Sequence, residues 1–126
     1  AGAPAPRAPE GDVLSIAYKE LGETVYHLCR NNLVTNELLD GLFYEILRYQ
    51  DFLRAYQSKQ SKLEDASQKA AIEKLEEKIR TALIGLGRQA ASLFNNLQVP
   101  IPEKERPQVQ GILDRVKKAR RATTGH

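Results

Sequence analysis

Residues 14–34, LSIAYKELGETVYHLCRNNLV, and residues 79–99, IRTALIGLGRQAASLFNNLQV, carry the pattern on which the fold turns. At an offset of 65, Leu21 aligns with Leu86, Gly22 with Gly87 and Leu28 with Leu93. Asn31 then meets Asn96, and Val34 meets Val99. Leu14/Ile79 and Val25/Ala90 agree in character. Beyond the loop the offset becomes 66, pairing Phe43 with Val109, Ile46 with Ile112 and Leu47 with Leu113. One inserted loop residue is an ordinary difference between repeated units, whereas amphipathic helices share leucine spacing by default. The shared Leu-Gly, loop asparagine and loop valine therefore weigh most. Glycine inside a helix is unfavourable unless something approaches it closely, so Gly22 and Gly87 predict a tight helix contact.

Both stretches read as helix. Leu14, Tyr18, Leu21, Val25 and Leu28 alternate spacings of four and three, one face of a 3.6-residue helix. The first helix is expected over 13–31, with Asp12 as N-cap and Asn31 and Asn32 at its end, because asparagine tolerates the left-handed conformation of a C-terminal cap. Thr35 or Asn36 can cap the second helix, 37–60, in which Leu39, Ile46, Leu53 and Leu42, Tyr49, Tyr56 form two seven-residue series. The third, 66–97, repeats Ile72, Ile79, Leu86 and Leu93. The fourth, 103–121, follows an extended Pro100/Pro102 link and tolerates Pro107 only in its first turn.

The resulting expectation is an all-α, antiparallel four-helix bundle made of two related helical hairpins. Residues 1–11, rich in Pro and Ala, form an unstructured arm. Residues 12–121 form one domain, with hairpins 12–62 and 65–121, and 122–126 fray. The polar segment SKQSKLEDASQ, 58–68, contains neither Gly nor Pro. A turn near 61–65 with Asp65 capping the third helix is one reading. A continuous rod through helices 2 and 3, extended or domain-swapped, is the other.

Composition narrows the function classes. With 126 residues, 41% hydrophobic, the chain can bury one real core. No run approaches the ~18 apolar residues of a membrane span, and the first residues lack the basic-then-apolar pattern of a secretory signal. The lone Cys29 cannot form an internal disulfide and suits a reducing, cytoplasmic setting. It reads as a buried small hydrophobe.

The stretch 18–46, YKELGETVYHLCRNNLVTNELLDGLFYEI, resembles the short helical hairpins that accompany zinc ribbons in some small bacterial proteins. The CxxC pairs that hold zinc in those proteins are absent here, so the resemblance implies the hairpin alone.

Candidate chemistry is sparse. Glu20, Glu23 and His27 share one helix face, but carboxylate-bridged metal sites need a second such motif on a facing helix, and His126 is the only other histidine. A solvated polar face is the better reading, and neither metal nor cofactor is implied. His27 and Cys29 stand two residues apart and point in different directions on a helix, so they form no thiolate–imidazolium pair. No phosphate loop, nucleophile elbow or H-E-x-x-H occurs.

Two surfaces remain. Helix 2 carries more apolar side chains than one stripe can bury, and Tyr44, Tyr49, Phe52 and Tyr56 are expected to contact a protein partner or a second copy of the chain. The alternative is that a central helix simply buries more surface. At the C-terminal end, Arg115, Lys117, Lys118, Arg120 and Arg121 form a basic cluster that suits nucleic acid or another polyanion. No aromatic residue interleaves with it, and such cations also favour a helix C-terminus. The expectation is a non-enzymatic interaction or self-assembly module, with a small basic polyanion-binding protein as the alternative.

Overall fold

The computed structural model describes residues 9–60 and 66–124. Four α-helices follow one another: α1, Pro9–Arg30; α2, Glu37–Gln60; α3, Ala66–Asn95; and α4, Arg106–Thr124, entered through a short 3-10 turn, Glu103–Glu105. No strand occurs among the described residues.

Helix α1 starts at Pro9, so Asp12 lies inside it instead of capping it, and residues 9–11 are helical where an arm was expected. Proline suits this position, because the first helical N–H groups have no partner to lose. Most of the arm, and the turn near 61–65 with Asp65, lie outside the described residues. Helix α2 spans the expected range, with the Asn36 side chain accepting from the Leu38 N–H at 2.9 Å. Helix α4 begins later than expected, because residues 103–105 form the tighter turn, and it runs on through Thr124.

The two halves end their first helices identically. Leu33 N donates to Leu28 O at 2.8 Å and Gln98 N to Leu93 O at 2.9 Å. Asn32 N donates to Cys29 O and Leu97 N to Phe94 O, each at 3.1 Å. This pair of bonds is the Schellman motif, and its left-handed residue is Asn32 in one half and Leu97 in the other, both with φ of 59°. Val34 and Val99 then turn inward and are buried.

At the centre, α1 packs against α3 through the two glycines. A Cβ on Gly22 would run into the Leu83 carbonyl, 2.8 Å from its carbon, and one on Gly87 would meet the Tyr18 carbonyl carbon at the same distance. Leu83 and Tyr18 are themselves 65 apart, so the contact is reciprocal. The expected close approach is present at both glycines. At such spacing glycine Cα–H groups lie against carbonyl oxygens, a weak attraction that adds to the packing. Leu21 and Leu86 beside them are completely buried, as are Val25 and Ala90.

The outer helices cross over. Helix α2 packs on α3 and α4 packs on α1, whereas α1 and α2, partners in one hairpin, touch little. Tyr26 reaches between them, donating its hydroxyl to Gln50 Oε1 at 3.1 Å and stacking 5.3 Å from the Phe43 ring. Each hairpin therefore leaves its own groove open and fills that of the other, instead of closing on itself before stacking.

Helices α2 and α3 run past each other in opposite directions. The Gln68 amide donates to the Tyr56 carbonyl at 3.1 Å, and Lys78 Nζ lies 5.9 Å from the Tyr49 ring centre. A continuous α2–α3 rod would hold residues 56 and 68 about 18 Å apart. That reading is overturned, because α2 and α3 pack side by side on each other.

Candidate interaction surface

The α2 face toward the core consists of Leu39, Phe43 and Ile46, all buried. The remaining aromatic residues flank it on two sides. Tyr49, Phe52 and Tyr56, spaced three and four apart, share one edge of the helix. Tyr44 lies about 80–140° around the axis from them, 61% exposed, its ring 5.2 Å from that of Phe43. The structure thus gathers three of the four expected interface residues and separates the fourth.

Tyr49 is half-buried, and its hydroxyl donates to the Glu45 carboxylate at 3.1 Å. That hydrogen bond raises the phenol above its ordinary range, with burial adding to it. Phe52, 51% exposed, and Tyr56, 37% exposed, open instead onto a shallow groove of about 270 Å³. Its other wall is α3: Ala71, Lys74, Leu75 and Lys78. The pattern of α2 alone pointed to the aromatic side; the α3 wall was missed, because only the doubling back of the chain brings residues 71–78 beside Phe52.

On α4, Val109, Ile112, Leu113, Val116 and Ala119 are buried against α1. Arg115, Lys117, Lys118, Arg120 and Arg121 are exposed. Arg115 is held to Glu20 of α1 at 2.8 Å, while Arg115, Lys117, Lys118 and Arg121 line, with Asp114, a hollow of about 460 Å³.

Glu20, Glu23 and His27 line an open cleft of about 650 Å³ together with Glu105 from the approach to α4. Two of these acids have other engagements, Glu20 with Arg115 and Glu23 with Lys19, both at 2.8 Å. Among the described residues, no group of three or more His, Cys, Asp or Glu is placed to hold a metal ion. Cys29 is buried, and burial, helped by the negative charge of Asp40, pushes its thiol up to about 11. Nucleophilic chemistry would require the opposite shift.

No helix among the described residues is long and apolar enough to cross a membrane. No protein family, curated protein or solved structure matches the chain.

Proposed function

We propose that this chain is a non-enzymatic helical interaction module, acting in the cytoplasm. Its architecture is read as an antiparallel four-helix bundle of two related hairpins, with contact to a protein partner or a second copy made through the α2/α3 groove. The observation that carries this reading is the exposure of Phe52 and Tyr56 beside Leu75 and Ala71. Aromatic residues open to solvent on a largely aliphatic floor are characteristic of contact surfaces. Tyr49 supports the groove wall, and Tyr44 contributes on the neighbouring face.

A photo-crosslinking side chain at position 52 tests the reading in native lysate. Adducts are expected at 52 and not at Ile16, which is 60% exposed on α1. Equal yields at both positions would remove the basis for the assignment.

The exposed cations of α4 favour a second reading, a basic accessory protein that binds nucleic acid or another polyanion. It predicts binding that weakens steeply with salt. Replacing Lys117, Lys118 and Arg121 by alanine without effect on that binding would eliminate it.

A further inference from the structure

Building on the interaction-module reading, we infer that the α2/α3 groove receives a short amphipathic helix from another protein, one whose apolar stripe is flanked by acidic residues.

The repeat supplies an internal comparison. At the offset of 66 that aligns Ile46 with Ile112, Phe52 corresponds to Lys118, Tyr56 to Ala122 and Tyr49 to Arg115. Lys118 and Ala122 are exposed on α4, which packs against α1. The fold accepts a lysine and an alanine there. The aromatic pair is thus particular to α2, and about half of the Phe52 side chain stays open to solvent.

Size and charge then choose the occupant. At about 270 Å³ the groove falls below the ~300–1,000 Å³ usual for small-molecule sites. It suits one or two side chains projecting from a helix, as in helix-in-groove recognition. The aliphatic and aromatic floor takes the apolar stripe. Lys74 and Lys78 provide the charge at its rim. The neighbouring acids are turned away: Glu73, Glu76 and Glu77 lie about 110–150° around α3 from the groove, and Asp51 about 100–140° around α2 from Phe52 and Tyr56. Asp51 and Glu77 also sit against Arg54 and Arg80, at 3.5 and 3.8 Å. Glu45 is occupied by the Tyr49 hydroxyl. Among the described residues the rim is cationic and calls for carboxylates. A second copy docked two-fold would bring Lys74 and Lys78 toward their own counterparts, which disfavours self-pairing here.

The test selects from a displayed library of helical peptides, randomised on and beside one stripe. The full chain is the target, and soluble full-length Phe52→Lys is the competitor. This variant copies residue 118 of the other half and is expected to melt like the wild type. Enriched peptides should carry leucine or aromatic stripes bordered by Asp and Glu. The leading peptide, made synthetically, should lose more than about ten-fold in affinity on Phe52→Lys. Lys74→Glu/Lys78→Glu, changed only at exposed positions, should prefer the charge-reversed peptide, and it keeps the test valid if Phe52→Lys unfolds. Enrichment of neutral or basic peptides, or enrichment independent of Phe52, overturns the inference. Light scattering that finds dimers abolished by Phe52→Lys places a second copy in the groove: this inference then fails while the interaction module stands. Failure of both peptide selection and position-52 crosslinking removes both.

Discussion

Adding one methyl group at Gly87 should have the opposite effect to adding it at Gly85, two residues earlier on the same helix. At Gly85 nothing lies within 4 Å of an added Cβ, and the same holds at Gly41. Ala there contributes only its better helix propensity, a gain of up to ~1 kcal/mol. At Gly87 the new atom overlaps the Tyr18 carbonyl and lies 2.9 Å from the Gly22 nitrogen. Both obstacles are backbone, so no rotamer change relieves them, and α1 and α3 must move apart. Overpacking costs ~1–3 kcal/mol, and a clash with a fixed carbonyl between fully buried Leu21 and Leu86 belongs at the upper end. After the propensity gain, Gly87→Ala should destabilise by ~2 kcal/mol, and Gly22→Ala by the same amount.

For a chain of 126 residues this corresponds to a fall in Tm of about 8 °C, against a rise of up to about 4 °C for Gly85→Ala. Urea and thermal unfolding followed by far-UV circular dichroism measure both. The Gly22→Ala/Gly87→Ala double variant should cost less than the sum of the singles, because the first methyl already opens the crossing. Gly87→Ala as stable as wild type, or Gly85→Ala equally damaging, would refute the claim that these helices meet backbone to backbone.

Other outcomes follow from the same structure. Leu97, 88% exposed at φ 59°, pays for a left-handed conformation that Asn32 adopts readily, so Leu97→Asn should stabilise by ~0.5–1 kcal/mol in urea unfolding. Leu86→Ala, at a fully buried site, should cost ~2–5 kcal/mol in the same assay. The Cys29 thiol keeps its proton to about pH 11 when folded and loses it near 9 when unfolded. Above pH 9 the native state therefore binds more protons, and stability should fall by on the order of 2 kcal/mol between pH 9 and 11. Cys29→Ala should flatten that limb in pH-dependent urea unfolding. Wild-type Cys29 should also react with a disulfide reagent at pH 8 more than about 100-fold faster once unfolded.

Legibility in the sequence followed the range over which each feature is decided. The period of Leu14, Tyr18, Leu21, Val25 and Leu28 is local, and it placed α1 within a few residues. Gly22 and Gly87 announced a close contact because an interior glycine has a cost that only proximity offsets. The left-handed position was readable in Asn32 but hidden in Leu97, a residue poorly suited to it, where the shared Schellman bonds impose the conformation. The pairing of α2 with α3 and of α4 with α1 was not readable. Two amphipathic helices in one hairpin carry the same stripe whether they face each other or a neighbour. For that reason the aromatic side of the groove was visible and its Ala71–Leu75 wall was not.

The crossed pairing gives the repeated sequence pattern a structural use. Each half supplies a first helix to the glycine contact and a second helix that covers the other half's first. Several buried positions are repeated: leucine at 21 and 86, glycine at 22 and 87, valine at 34 and 99, isoleucine at 46 and 112. Other positions diverge. Tyr49, Phe52 and Tyr56 stand where Arg115, Lys118 and Ala122 stand in the second half, so two of the α4 cations occupy the address of the aromatic edge of α2. The aromatic edge of α2 and the exposed cations of α4 are therefore places where the two halves differ in character.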